Sequence, residues 1–171
     1  MSRTFGPIAQ NGYVVTDLDA AIEHWAAKLG VGPWFELDTR VFEAMRYQGQ
    51  IVEPELRIAL ANSGSLQIEL IQPLDDCPTP YRDFLARTGG QSGLQHVSSW
   101  PDRETFEHLV QTHTTVFSGQ GGGTRFAYFE DVYDTGTMME IADLSDGTRR
   151  FFDKIKHRAE TWDGQDLFYQ G

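Results

Sequence analysis

The sequence predicts an α+β fold made of two similar β-α-β-β-β units. The chain has 171 residues, which suits a single compact unit. Hydrophobic residues make up 40% of it and charged residues 23%, so a sizeable core can form. The order of elements in the first half also recurs in the second half. A repeated small unit of this kind pairs two sheets that neither half could bury alone.

The first unit opens with a strand and a capped helix. Segment 8–15, IAQNGYVV, is rich in β-forming residues. It leads into an amphipathic helix whose apolar residues follow the i, i+3, i+4, i+7 spacing, at Ile22, Trp25, Ala26 and Leu29. Thr16 or Asp17 can cap the start of this helix, and Gly30 can close it in the left-handed conformation.

Strand candidates follow the helix. Three have β-rich composition, at 33–38 (PWFELD), 41–48 (VFEAMRYQ) and 55–61 (ELRIALA). After a turn at 62–64, segment 65–72 (SLQIELIQ) alternates apolar and polar residues. The first unit therefore has one strand and one helix followed by several strands.

The second half repeats this order. Segment 93–100, GLQHVSSW, is a strand candidate, and 101–111 forms a helix with an apolar side. Strands are expected at 124–130 and 136–142, and a final helix at about 146–162. The glycine-rich segment 118–124 is interpreted as a flexible turn or lid, because no Lys-Ser/Thr pair follows it as in a phosphate loop.

These elements divide one compact unit into three parts. The first module covers residues 6–75, the second covers 92–145, and a C-terminal helix with its tail covers 146–171. The final helix carries five basic residues, at Arg149, Arg150, Lys154, Lys156 and Arg158. Two interpretations stay open for it: packing on the sheet or a second subunit, or binding a phosphate or coenzyme A.

Charge and composition exclude several classes of partner. Lys and Arg number 14 against 25 Asp and Glu, so the formal net charge is −11. This charge repels phosphate backbones and anionic membrane surfaces, so we expect neither nucleic acid nor membrane as a partner. The single cysteine, Cys77, cannot form an internal disulfide, and the N-terminal segment lacks the pattern of a secretory signal. A cytoplasmic location is therefore expected.

Four polar residues occupy equivalent places in the two units. Gln10 and His96 each lie on the strand just ahead of a helix, whereas Glu69 and Glu140 lie on the last strand of each unit. The period of two along a strand puts Glu69 and Glu140 opposite their apolar neighbours. Enclosed carboxylates must be paired or metal-bound. From spacing alone, the other interpretation stays open: the two carboxylates face solvent or pair with Arg57 and Arg125.

Four segments together resemble the vicinal oxygen chelate superfamily: IAQNGYVVTDLDAAIEHWAAKLGVGPW, LQIELIQPL, GLQHVSSW and TMMEIADLS. That superfamily includes glyoxalase I, methylmalonyl-CoA epimerase, extradiol dioxygenases, and bleomycin- and fosfomycin-resistance proteins. The resemblance covers about residues 6–162. It implies a cupped, mostly antiparallel mixed sheet, and it makes Gln10, Glu69, His96 and Glu140 the metal ligands. This ligand set is similar to that of glyoxalase I, whereas the surrounding sequence is more similar to bacterial epimerase-like members.

The resemblance implies a metal-dependent isomerase, epimerase or lyase that enolises a small oxygenated carbonyl substrate. The donor set suits a divalent cation such as Zn²⁺, Ni²⁺, Co²⁺ or Mn²⁺, with Fe²⁺ also possible in this family. A metal at the developing enolate oxygen stabilises its charge, and a carboxylate beside it takes the proton. By resemblance to glyoxalase I, we expect Glu140 to be that base and Glu69 the opposing acid or base. Many relatives are dimers, so a homodimer is expected.

Two other functions stay open from the sequence. An extradiol-type dioxygenase requires histidine where this chain has Gln10. A non-catalytic small-molecule-binding protein of the resistance type would use the cup without a metal. Either enzyme or binding protein needs a pocket, and its expected wall residues are Trp34, Arg46, Tyr47, Tyr81 and Phe84.

Overall fold

A computed structural model describes residues 3–130 and 136–169 of the protein. Residues 131–135 of the second module and 170–171 of the tail therefore lie outside the described residues. The described chain has four α-helices: α1 (Leu18–Leu29), α2 (Pro80–Arg87), α3 (Arg103–Thr112) and α4 (Asp146–Glu160). It has ten strands: β1 (Gln10–Val14), β2 (Phe35–Glu36), β3 (Phe42–Tyr47), β4 (Gln50–Ile51), β5 (Leu56–Ser63), β6 (Leu66–Pro73), β7 (Gly93–Ser99), β8 (Thr115–Gly121), β9 (Thr124–Phe129) and β10 (Met138–Asp143).

The ten strands form one curled, mixed sheet. Their order is β2-β5-β6-β1-β7-β10-β9-β8-β3-β4. Strand β1 pairs with β6 in parallel, and β7 pairs with β10 in parallel. The remaining strand pairs are antiparallel, including β1 with β7, where the two halves of the chain meet. The predicted α+β fold with a cupped, mostly antiparallel mixed sheet is confirmed.

Helix α1 forms as the sequence predicts. The Asp17 side chain accepts a hydrogen bond from the backbone N–H of Ala20, and Gly30 closes the helix at φ 66°. Of the two predicted caps, Thr16 and Asp17, Asp17 is the one at the N-cap position. The Asp17 carboxylate satisfies a backbone donor that a helix start leaves unpaired, and glycine adopts the left-handed conformation at little cost.

The alternation of side chains along each strand separates two faces of the sheet. On the convex face, α1 packs Leu18 and Ile22 against Ile68 and Leu70, and α3 packs its apolar side against β9 and β10. The concave face carries the other residues of the same strands, together with Ile155 of α4. Glu69 and Glu140 belong to this concave set, because their strand neighbours face α1 and α3.

Four features of the structure differ from the sequence-based expectation. Strand β2 covers only two residues, and the sequence analysis predicts neither helix α2 nor strands β4 and β8. The glycine-rich segment is mainly strand, because Gly119 and Gly121 belong to β8 and only Gly122 and Gly123 form a turn. A Cβ at Gly119 would lie 2.6 Å from the Phe126 ring, so these glycines make room for aromatic side chains.

The β3–β4 hairpin lies away from the rest of the first half. Strand β3 pairs with β8 of the second half, so the hairpin extends the far side of the sheet. Within the described residues, no helix is long and apolar enough to cross a membrane.

Candidate functional site

The four central strands place the predicted ligand residues in two neighbouring rows across the sheet. In the first row, Gln10 pairs with Gln67 on one side and with Ser98 on the other, and Ser98 pairs with Glu140. In the second row, Gly12 stands between Glu69 and His96. Residues two apart along a strand share a face, so all four predicted ligand residues lie on the concave side.

Three of these side chains contact one another at the centre of the sheet. Nε2 of His96 lies 3.3 Å from Oε2 of Glu69 and 3.6 Å from Oε2 of Glu140. Gln10 lines the same cavity as both carboxylates. Its Nε2 donates a hydrogen bond of 2.8 Å to Oε1 of Gln67, which leaves Oε1 of Gln10 as the free acceptor of that amide.

The absence of a side chain at Gly12 makes this contact possible. A Cβ at Gly12 would lie 1.8 Å from Cε1 of His96 and 2.3 Å from each ring nitrogen. The imidazole therefore lies directly over the backbone of β1, and from there it reaches Glu69 on the far side of that strand. Nothing in the local sequence marks Gly12, because the need for glycine arises only from pairing between distant segments.

A β-bulge beside Gly12 orients the imidazole. Gly12 pairs with His96 but Tyr13 pairs with Leu94, so Gln95 is the extra residue of β7. Oε1 of Gln95 lies 2.9 Å from Nδ1 of His96, and both side chains are buried. Because a carbonyl oxygen only accepts, Nδ1 carries the hydrogen in this pair and Nε2 faces the carboxylates. In a regular strand, Gln95 and His96 would point to opposite faces, so the sequence held no signal for this contact.

Burial and charge alter the proton affinities of the cluster. Burial raises the pKa of Glu140 to about 7, with the His96 charge opposing this shift and the Glu69 charge adding to it. Burial lowers the pKa of His96, but the hydrogen bond that the protonated ring donates to Glu69 and the charges of both carboxylates outweigh it and raise the pKa. A buried carboxylic acid that titrates near neutral pH can take and return a proton.

The two arginines proposed as alternative partners of the carboxylates are engaged elsewhere. Arg57 pairs with Asp19 and Glu36 on the surface, and Arg125 pairs with Glu107 and Asp143. Only 13% of the Glu69 side chain and 10% of the Glu140 side chain are exposed. The alternative interpretation, in which these carboxylates face solvent or bind Arg57 and Arg125, is therefore wrong.

Two buried tyrosines complete the polar part of the site. The hydroxyls of Tyr81 and Tyr128 are 3.0 Å apart, and the Tyr128 hydroxyl is 3.4 Å from Nε2 of His96. Burial raises the pKa of both phenols well above the ordinary value, so both stay neutral. Tyr81 comes from the unpredicted helix α2, which Thr79 caps. Tyr128 had been assigned to a strand without a role in the site.

The cluster lies in the wall of a cavity on the concave face. The volume of this cavity is about 270 Å³, slightly below the range of about 300–1,000 Å³ that is typical of small-molecule sites. Its polar lining residues include Gln10, Glu69, Tyr81, Tyr128 and Glu140, and the rest of the wall is mainly aliphatic and aromatic.

The structure brings one of the five expected wall residues to this cavity. Tyr81 lines it, whereas Trp34, Arg46, Tyr47 and Phe84 are not among its lining residues. Trp34 packs beneath α1, and Arg46 is exposed. Tyr47 donates a hydrogen bond to Asp83, and Phe84 is buried in the core. A composition rich in aromatic residues does not tell core from cavity, because both need large apolar side chains.

The donor chemistry of the cluster is that of a divalent-metal site. Two carboxylates, one imidazole and one amide oxygen suit borderline cations of the first transition row. Within the described part of the chain, no group of three or more His, Cys, Asp or Glu side chains is arranged around a common point as metal ligands. The donor atoms of Glu69, His96 and Glu140 contact one another instead.

Solved structures of similar fold include several epimerases. Methylmalonyl-CoA epimerase from Mycobacterium tuberculosis matches with a TM-score of 0.64 and 21% identity, over 88% of this chain and 96% of that chain. A hypothetical protein from Bacillus halodurans matches with a TM-score of 0.58 and 17% identity, over 82% and 95%. A variant of the Streptomyces coelicolor epimerase in complex with 2-nitronate-propionyl-CoA matches with a TM-score of 0.56 and 19% identity, over 79% and 92%. At these identities the likeness concerns the fold.

No curated protein sequence matches the chain. The model of the Glyoxalase/Bleomycin resistance protein/Dioxygenase superfamily matches residues 9–128. This match spans well over half of the chain and includes Gln10, Glu69 and His96. This match establishes that the chain belongs to the Glyoxalase/Bleomycin resistance protein/Dioxygenase superfamily.

Proposed function

We propose that this protein is a metal-dependent isomerase of the epimerase or glyoxalase type, which enolises a carbonyl substrate. The observation that carries the proposal is the mutual contact of Glu69, His96 and Glu140, with both carboxylates in the wall of one cavity. Each pair of predicted ligands comes from a different half of the chain, and the register of four strands brings them together.

Glu69, His96, Glu140 and Gln10 would hold the divalent cation. Nε2 of His96 lies 3.3 Å from Oε2 of Glu69 and 3.6 Å from Oε2 of Glu140, so these three donor groups are direct neighbours. When bound, the cation would supply a Lewis acid that stabilises negative charge on the substrate oxygen.

Glu140 would act as the base. Its Oε2 accepts the proton from the carbon next to the substrate carbonyl, and the electron pair of that C–H bond moves into the enolate. Without a bound cation, burial raises the pKa of Glu140 to about 7, and a base is most effective when its pKa is near the working pH. Glu69 contacts the same Nε2 of His96 as Glu140 does, and in its protonated form it would give a proton to the opposite face of the same carbon. Transfer between the two faces inverts the carbon centre.

Tyr81 and Tyr128 would keep the reacting end of the substrate in place. Both phenols are neutral and buried, and the hydrogen bond between their hydroxyls uses one of the two O–H groups, so the other can donate a hydrogen bond to the substrate. Hydrogen-bond donors fixed near the developing oxyanion lower the barrier without reorganising during the reaction.

The single histidine of the cluster supports this function over oxygen chemistry. Ring-cleaving dioxygenases of this type use two histidines and one carboxylate, and the first of those histidine positions is Gln10 here. A non-catalytic binding protein would use the same cavity, and it differs from an enzyme in showing no proton exchange.

Hydrogen exchange at carbon tests the proposal. We would purify the whole chain without chelators, determine its metal content, and load it separately with Zn²⁺, Ni²⁺, Co²⁺ or Mn²⁺. NMR in D₂O would then follow loss of the acidic protons of 2-hydroxyacetophenone and of methylmalonyl-CoA. Wild-type protein should exchange at least one of them, and Glu140→Gln should not.

Glu23→Gln is the matched control, because Glu23 is an exposed carboxylate on α1 and far from the cavity lining. It should exchange at the wild-type rate. Exchange by Glu140→Gln at the wild-type rate, or no exchange by any metal-loaded wild-type sample, would contradict the proposal.

A further inference from the structure

The cavity wall is unusually poor in positive charge. Among the described residues that line the cavity, none is a lysine or an arginine, and the charged ones are Asp38, Glu69 and Glu140. The segments outside the described residues, 1–2, 131–135 and 170–171, also contain no basic residue. A substrate carboxylate that binds in this cavity away from the cluster would therefore lose its hydrating water without forming an ion pair with a lysine or arginine of the cavity wall.

The cluster adds only acidic side chains to the cavity. Glu69 and Glu140 line it together with Asp38, and like charges repel strongly in a space with apolar walls. When Glu140 takes the proton in the proposed reaction, its negative charge passes to the substrate oxygen. Enolisation therefore leaves the total charge of the site unchanged and provides no protein cation for a substrate carboxylate.

The rest of the wall favours an apolar group, and in particular an aromatic one. Phe42 and Phe126 line the cavity as an edge-to-face pair with centroids 6.1 Å apart. Trp100 and Phe152 line it with their ring centroids 4.9 Å apart. Aromatic edges and faces presented together pack well against a further ring. A long polar chain such as that of coenzyme A finds few hydrogen-bonding side chains along such a wall, mainly Asp38 and the Thr124 and Thr148 hydroxyls, which bond to each other.

The basic residues of α4 do not change this charge balance. None of the five lines the cavity, whereas Thr148, Phe151 and Phe152 of the same helix do. The Lys154 ammonium lies 4.5 Å from the centre of the Tyr169 ring, and the Arg158 guanidinium lies 4.8 Å from it. Arg158 also donates a hydrogen bond of 3.1 Å to the Tyr169 hydroxyl. Two of the five are therefore used to hold the C-terminal tail.

We infer that the substrate is an uncharged carbonyl compound with an aromatic group, and not an acyl-CoA thioester with a free carboxylate. The carbonyl part of this inference rests on the proposed enolisation. The uncharged, aromatic part rests on the cavity wall alone, so the two parts can fail separately.

Four related ligands test the inference on the Zn²⁺-loaded whole chain. All four contain a hydroxyketone group. Hydroxyacetone has no ring, and 2-hydroxyacetophenone has a phenyl ring. The other two are 2-hydroxyacetophenone with a carboxamide or with a carboxylate at ring position 4. The last two have nearly the same shape and differ in charge. Isothermal titration should give 2-hydroxyacetophenone about tenfold tighter binding than hydroxyacetone, as expected for burial of a phenyl group. The carboxylate should bind about tenfold more weakly than the carboxamide.

A cation added at the cavity mouth should reduce the discrimination against a negatively charged ligand. Val41 lines the cavity and is 51% exposed, so a longer side chain there reaches solvent. Val41→Lys should reduce the ratio of the carboxamide affinity to the carboxylate affinity by about threefold or more. The neutral control Val41→Gln should leave this ratio unchanged. Three results would overturn the inference. The wild-type protein could bind the carboxylate as tightly as the carboxamide, or hydroxyacetone as tightly as 2-hydroxyacetophenone. It could also fail to bind 2-hydroxyacetophenone.

Proton exchange measured on the same ligands separates this inference from the proposed function. If 2-hydroxyacetophenone binds in the expected order but its acidic protons do not exchange, the enolising function fails and the ligand class stands. If the carboxylate exchanges as fast as the carboxamide, the ligand class fails and the function stands.

Discussion

Gly12→Ala should break the cluster of Glu69, His96 and Glu140 while the sheet stays folded. The added methyl carbon would lie 1.8 Å from Cε1 of His96, whereas ordinary contact begins at 3.4 Å. The imidazole must therefore move by about 1.6 Å. Gly12 has no left-handed backbone conformation, so alanine can adopt its backbone and the effect is purely steric.

The size of the effect follows from where the ring is held. His96 is fully buried, so moving it costs about 1–3 kcal/mol of stability, as is usual when a core is overpacked. A displacement of that size also separates Nε2 from Glu69 Oε2, which it now contacts at 3.3 Å. Loss of an oriented ligand should weaken metal binding by about 100-fold or more.

Urea unfolding and isothermal titration with Zn²⁺ measure the two effects. Gly147→Ala is the matched control, because its added methyl would meet nothing closer than Ser145 Oγ at 3.7 Å. This control should bind Zn²⁺ like wild type and lose no stability. If Gly12→Ala behaves like the control in both measurements, the packing of His96 over β1 is not what holds the cluster.

Three further predictions concern the same cluster. Burial holds the pKa of Glu140 at about 7 against an ordinary 4.5, so the folded state keeps this proton more tightly than the unfolded state does. The metal-free protein should therefore lose on the order of 3 kcal/mol of stability as pH rises from about 4.5 to 7. The urea midpoint of Glu140→Gln should change much less over this pH range. Identical pH profiles of the two proteins would refute this prediction. Gln95→Leu removes the acceptor of the hydrogen bond from His96 Nδ1–H. The affinity for Zn²⁺ should therefore fall about 10- to 100-fold, and the ¹⁵N chemical shifts of the imidazole should show a mixture of tautomers. Unchanged chemical shifts and an unchanged affinity would contradict this prediction. Tyr128→Phe leaves the buried Tyr81 hydroxyl without its partner and should cost about 1–3 kcal/mol in urea unfolding, a loss that Tyr13→Phe on the convex side should not reproduce.

Local signals in the sequence were enough to predict much of the fold. Asp17 and Gly30 cap the two ends of α1. Both caps could be predicted because capping depends on residues within one turn of each helix end. The faces of β6 and β10 followed from the period of two, which is a property of any strand. Duplicated order placed two pairs of polar residues at equivalent positions, and the family resemblance implied that they share one face.

Features that depend on pairing between distant segments could not be predicted. Gln95 enters the site through a bulge, which exists only because β1 and β7 pair out of step. Helix α2, with two prolines nearby, has the composition of a loop, yet Thr79 and Pro80 start it and Tyr81 is carried to the cavity. The homodimer, the cytoplasmic location and the module boundaries stay predictions.

The position of the β3–β4 hairpin has a consequence for how copies of the chain can associate. Strands β7 to β10 have first-half strands on both sides, and the sheet ends on β2 and β4, each two residues long. Such short ends offer a second copy very few backbone groups to pair with, which protects the protein from growing into larger sheets. If the expected homodimer forms, its subunits should therefore meet through side chains on helices, loops or sheet faces, and not by joining two sheets into one.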